Sequence, residues 1–116
     1  MKTPKPPDRV ELLQGTLDLL VLRTLLLGPM HGHGIAKAIQ RNSDDLLLVD
    51  HGSLYPALHR LVRKSWLASE WEDTPKGRPM KLYRLTAAGR RQLAAEESNW
   101  EQVCRAIGLV LKRAQG

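Results

Sequence analysis

Ser53-Leu54-Tyr55-Pro56-Ala57-Leu58-His59-Arg60-Leu61-Val62-Arg63-Lys64-Ser65 is the stretch on which the fold turns. A helix is predicted here, with Ser53 capping the orphan amides of the first turn and Pro56 at the third helical position, where a missing N–H costs nothing. Leu54, Leu58, Leu61 and Val62 recur at i, i+4, i+7 and i+8, so they form one apolar stripe. At about 100° per residue, Pro56, His59, Arg60, Arg63 and Lys64 fall on the opposite face, with Tyr55 at the boundary. That face is basic and carries no acid.

Outward from this helix, Trp66 to Glu72 and Lys81 to Leu85 are β-prone and flank Asp73-Thr74-Pro75-Lys76-Gly77-Arg78-Pro79. Two short strands around a Pro/Gly loop make a hairpin whose projecting end gathers Lys76, Arg78 and Lys81. Upstream, Thr16 is a candidate cap and Gly28-Pro29 a stop, which predicts a first helix over Leu17 to Leu27. His31-Gly32-His33-Gly34 opens a second helix ending near Asn42, with Ile35 and Ile39 on one face. The run Leu46-Leu47-Leu48-Val49 is too short to classify by periodicity and stays open between a turn and a brief strand. Thr86 caps a last helix, in which Leu93, Trp100, Ile107 and Ala114 recur every seven residues with Val103 and Val110 between them. Glu96 occupies one position of that seam, so the pattern is strongest from Trp100 onward.

Composition agrees with a small, mostly helical domain. The chain has 116 residues, 42% hydrophobic and 26% charged, and no Phe, so Leu, Val, Ile and Ala must fill the interior. Such side chains suit helix-on-helix packing better than a β-sandwich. The most apolar stretch, Leu12 to Leu27, is broken by Gln14, Asp18 and Arg23 and is shorter than a membrane span requires. With no signal core near the N-terminus and a single cysteine, Cys104, a cytoplasmic protein without a disulfide framework is expected. The net charge is +6, and between His31 and Arg91 eleven basic residues face six acidic ones, whereas Glu96 to Gly116 is balanced. A polyanion-facing middle and a neutral tail follow from that asymmetry.

Three helices followed by a hairpin with a basic tip form a winged helix-turn-helix, whose third helix enters the DNA major groove while the loop reaches the neighbouring backbone or minor groove. The fold class is therefore mostly α with a small β-hairpin, plus a C-terminal dimerisation helix. Residues 1–11 are expected to be an arm, disordered or partly ordered. Residues 12–88 would form the DNA-binding domain and 89–114 the dimerisation helix.

Three segments of the chain resemble the signature segments of PadR-type regulators. They are Leu25-Leu26-Leu27-Gly28-Pro29-Met30-His31-Gly32, Gly52-Ser53-Leu54-Tyr55-Pro56-Ala57-Leu58-His59-Arg60-Leu61 and Tyr83-Arg84-Leu85-Thr86-Ala87-Ala88-Gly89. The resemblance runs from about Leu12 to Leu93. It implies a bacterial homodimeric winged-helix repressor, usually autoregulated, with a C-terminal helix exchanged between partners. It also implies DNA contact by the helix carrying Ser53, Tyr55 and Arg60 and by the wing tip. The chain departs from many members at His33, where they have Tyr, and at Ser65, where they have a Gly that serves as a left-handed helix cap. Its C-terminal region is one helix where longer members have several, so their effector pockets do not carry over.

The expected DNA contacts are Ser53, Tyr55, Pro56, His59, Arg60, Arg63, Lys64, Lys76, Gly77, Arg78 and Lys81. Base edges would be read by Ser53, His59, Arg60 and Arg63, and phosphates by the remaining cations and Tyr55. The dimer interface is expected at Leu93, Trp100, Val103, Ile107 and Val110. Double-stranded DNA and a second copy are the expected partners, with a small-molecule effector left open and no cofactor or membrane. His31, His33, His51 and His59 raise a metal-sensing alternative, but their spacing brings no paired ligands together. A protein-interaction module is the other alternative, disfavoured by the positive charge on the third helix. Ser53 near His51, His59 and Asp50 has the residue types of a hydrolase, yet its capping role and the small core argue against an enzyme.

Overall fold

Aliphatic side chains from every helix meet in one interior, as a chain without Phe requires. Val21, Leu22, Ile35, Leu54, Leu58, Leu61 and Leu67 are fully buried there. The computed structural model describes residues 14–114, so the N-terminal arm expected over residues 1–11 lies outside the described residues. In chain order the elements are α1 (Gln14–Leu25), β1 (Met30–His31), α2 (Gly32–Asn42), α3 (His51–Arg63), β2 (Leu67–Glu72), β3 (Met80–Leu85) and α4 (Ala87–Ala114).

The hairpin gains a third strand. Met30 pairs with Tyr83 and His31 with Leu82, giving an antiparallel sheet of order β1-β3-β2. Two residues carry no readable alternation, so β1 is invisible to periodicity. The run from Leu46 to Val49 is irregular, and its Leu47 and Val49 pack against the core. Thr16 lies inside α1 rather than capping it, and Asp18 stands in the helix interior.

The start of α3 also differs from expectation. Asp50, not Ser53, is the cap: its carboxylate accepts from the Ser53 amide at 2.7 Å. Either side chain can cap, but the carboxylate is the stronger acceptor and favours the positive end of the helix. Beginning at His51 places Pro56 inside the helix, where it removes the donor that the Gly52 carbonyl would otherwise receive. Gly52 is exposed, so water can serve that carbonyl.

At the exit of α3 the Trp66 amide donates to the Leu61 carbonyl (3.1 Å) and the Ser65 amide to that of Val62 (2.9 Å). These two bonds are a Schellman cap. Ser65 takes the left-handed position with φ +63°, the geometry that glycine adopts without strain. The exit is held from the other side by Thr86. Its hydroxyl donates to the Ser65 carbonyl at 2.6 Å, its amide donates to the Trp66 carbonyl at 3.1 Å, and the Gly89 amide donates to its Oγ1 at 2.9 Å. Thr86 thus caps α4 as expected and ties it to the end of α3. A Cβ on Gly89 would collide with the Trp66 carbonyl oxygen and stand 2.8 Å from Leu85 Cδ1, so the early glycine admits this close approach.

α4 is 28 residues long, about 42 Å at 1.5 Å per residue. Its first turns pack on α1, where Arg23 and Glu97 approach to 3.7 Å. From Ser98 onward every residue with a described side chain is exposed. Leu93, only 4% exposed, belongs to the domain's own core. That corrects its assignment to the dimer seam: the seven-residue repeat continues through it, but its side chain is already used within the domain.

Relaxing the left-handed serine should stabilise the fold. Ser65→Gly is expected to raise unfolding free energy by about 1 kcal/mol, measured by urea denaturation. A loss of stability would mean that the Ser65 conformation is not strained.

Candidate nucleic-acid interface

The rotation of α3 decides which side chains it offers. On one edge, Arg60 Nη2 donates to Asp18 Oδ1 at 2.9 Å, and the two side chains are only 24% and 15% exposed. On the other edge, Tyr55 packs against the start of α2. A Cβ on Gly32 would lie 2.8 Å from the Tyr55 hydroxyl and 2.9 Å from its ring, so only glycine leaves room. The His51 ring meets Tyr55 edge-on (5.6 Å between centroids) and also meets His33 edge-on at 5.9 Å. Between these two edges Pro56, His59 and Arg63 face solvent.

The remaining expected contacts are distributed as follows. Ser53 is exposed at the start of α3, its hydroxyl 3.3 Å from Asp50 Oδ2. Lys64 is the helix cap, with Nζ 4.7 Å from the centre of the Trp66 ring, a cation–π contact. Lys76, Gly77 and Arg78 are exposed in the loop joining β2 and β3. That loop is a closed turn, in which the Gly77 amide donates to the Thr74 carbonyl (2.9 Å) and the Thr74 hydroxyl to the Arg78 carbonyl (2.6 Å). Lys81 stands opposite Trp71 on the hairpin, its Nζ 5.5 Å from the indole centre.

Helix and wing bound one concavity of about 520 Å³, to which Tyr55 and His59 contribute from α3 and Trp71 and Lys81 from the wing. A second shallow depression lies along α3 between Tyr55, Pro56, His59, Arg60 and Arg63. No acid lines either. Beside the first, His31 Nε2 lies 3.1 Å from Glu72 Oε1, joining the start of α2 to the end of β2 across β3. His31 thus links the entry to α2 with the wing. Among the described residues no group of three or more His, Cys, Asp or Glu could hold a metal ion, and none of their helices is long and apolar enough to cross a membrane.

Sequence reasoning missed Asp18, Asp50 and Trp71. The Asp-x-x-Ser spacing from Asp50 to Ser53 was a usable capping signal. Asp18 meets Arg60 from 42 positions away, and no local pattern marks such a partner.

Burial lifts the Asp18 carboxyl above its ordinary 3.8, outweighing the attraction of Arg60 and Lys64. The folded protein therefore holds this proton to higher pH than the unfolded chain does. This contribution to stability is complete below the unfolded value, falls as pH rises through the window up to the folded value, and is constant above it. Asp18→Asn removes the titration, so the variant should gain on the wild type through that window, as followed by urea midpoints at successive pH values. A difference independent of pH would refute the assignment.

Comparison with known proteins gives the family. Residues 21–95 match the sequence model of the transcriptional regulator PadR-like family. A transcriptional regulator of Mycobacterium tuberculosis is 30% identical over 97 residues, covering 84% of this chain and 87% of that protein. Among solved structures, a PadR family transcriptional regulator from Eggerthella lenta is 34% identical with a TM-score of 0.75, covering 84% of this chain and 83% of the other. A transcriptional regulator from Clostridium thermocellum is 26% identical with a TM-score of 0.76, covering 82% and 92%. With a winged helix-turn-helix, a concavity between helix and wing whose lining includes no acid, and a family match over most of its length, the chain belongs to the PadR-like family of DNA-binding transcriptional regulators.

Proposed function

We propose that the protein is a homodimeric repressor that binds a pseudo-palindromic operator, with α3 in the major groove and the wing on the adjacent backbone or minor groove. The observation that carries this reading is the concavity built jointly by α3 and the wing, whose lining includes no acid. Its Lys and Arg side chains supply the charge that duplex DNA requires. His59 and Arg63, at the centre of the free face of α3, read base edges, with Ser53 at the helix start. Tyr55, Lys64, Lys76, Arg78 and Lys81 hold phosphates, with the Pro56 ring and the Gly77 backbone lying against the strand. Arg60, assigned to base contact by its helical position, is bonded to Asp18. In this reading it orients α3.

The exposed half of α4 supplies the two-fold. Trp100 (46% exposed), Val103, Ile107 and Val110 make an apolar stripe continued by Leu111. Left bare, such a stripe is costly, and the same stripe on a second copy is its natural complement. Half-sites would then lie about one helical turn apart, roughly 10 base pairs. Autoregulation places one operator upstream of the protein's own gene. A small-molecule effector is compatible with this reading, since a 520 Å³ concavity is of ligand size.

A gel shift on the DNA upstream of the gene, repeated across salt concentrations, tests the reading. Arg78→Ala should weaken binding to all sequences and lower the salt slope by about one. An unchanged slope would remove Arg78 from the phosphate contacts. Trp100→Glu should yield monomers by light scattering, because it buries a charge in the stripe. An unchanged mass would place the interface elsewhere.

A further inference from the structure

Trp71 is out of place for a tryptophan. Side chains alternate across a strand, and in the β2–β3 register Leu67 faces Leu85, Ser69 faces Tyr83 and Trp71 faces Lys81. Leu67, Leu85 and Tyr83 are buried, so this is the inward face of the hairpin. Trp71 lies on that same face yet is 68% exposed. The inward face runs past the edge of the core and there forms one wall of the concavity, with Tyr55 and His59 of α3 on the other side.

The walls differ in chemistry. The wing side is flat and apolar, Trp71 with Met80 and Pro79, and carries one cation in Lys81. The helix side offers a phenol and an imidazole. A ligand suited to both has an apolar surface and an anionic group with acceptor oxygens. In duplex DNA the strand dividing the major from the minor groove has that composition, deoxyribose beside phosphate. It must also pass between a helix seated in one groove and a hairpin reaching for the next.

We infer that the slot between α3 and the wing receives one sugar–phosphate segment of that dividing strand, with Trp71 packed on the deoxyribose and Lys81 and Tyr55 on the phosphate. The inference rests on the DNA-binding reading and adds Trp71 as a contact residue. Because Trp71 touches sugar and not base, it contributes to every sequence equally. Because it is uncharged, it contributes without releasing counterions.

The test uses the full-length protein. In Trp66→Phe/Trp100→Phe, where Trp71 is the sole tryptophan, saturation with a mixed-sequence duplex should shield its fluorescence from acrylamide at least severalfold. Trp71→Ala should weaken binding to operator and mixed-sequence duplexes alike by about tenfold, with an unchanged salt slope, whereas Lys81→Ala should lower the slope by about one. Trp71→Phe should restore part of the affinity. Should the double Phe variant not fold, the same shielding is read as the difference between wild type and Trp71→Phe. Binding by wild type with Trp71 still open to acrylamide and no loss in Trp71→Ala overturns the slot and leaves the DNA-binding reading standing. The same result together with shielding by a small molecule assigns the slot to an effector instead. No binding of wild type to any duplex overturns both readings.

Discussion

α3 can present a fixed set of side chains only if it cannot roll about its own axis, and its two flanks are what hold it. The Asp18–Arg60 bond anchors one flank to α1, and the Tyr55 ring, seated on the backbone at Gly32, anchors the other to α2. Breaking the ionic anchor would take a charge-assisted bond from a half-buried pair, and adding one methyl group at Gly32 would push against a ring. Both contacts use residues at the border of the apolar stripe, which leaves the middle of the polar face free. His59 and Arg63 therefore stand at the middle of that face, flanked by Arg60, bonded to Asp18, and by Tyr55, which still lines the slot.

A second junction fixes where the wing and the last helix stand relative to α3. Backbone carbonyls of Ser65 and Trp66 accept from Thr86, and Gly89 lets α4 begin against them. The left-handed serine, the threonine cap and the glycine are thus one device: each lets two chain segments approach within backbone hydrogen-bonding distance. The hairpin springs directly from this junction, so its inward face is aligned with the exposed side of α3 and the two bound a common slot.

α4 divides its labour along its length. Leu93 fills the core and Glu97 meets Arg23, while from Trp100 onward the apolar side has no intramolecular cover. The seven-residue period spans both halves, interrupted only at Glu96, because a helix keeps its periodicity whether its stripe meets its own domain or another molecule.

Much of this was legible in the chain. The stripe of α3, the Pro/Gly-centred hairpin with its basic tip, the Thr86 cap and the repeat in α4 are local patterns, and each corresponds to an observed element. Periodicity states which face of an element is apolar; it does not state what covers that face. Hence Leu93 was grouped with Trp100 although one is buried in the domain and the other bare, and Arg60 was grouped with Arg63 although Asp18 holds only the former. Local pattern puts the cap of α3 at Ser53, three residues past Asp50, whose carboxylate is the acceptor that the backbone uses. A two-residue strand and a tryptophan standing beyond the edge of the core have no signature in one dimension. The sequence by itself determined the elements, their order and the sign of the charge on them. Only the tertiary structure decided which cations are spent on neighbours and which face outward, because that depends on contacts between residues tens of positions apart.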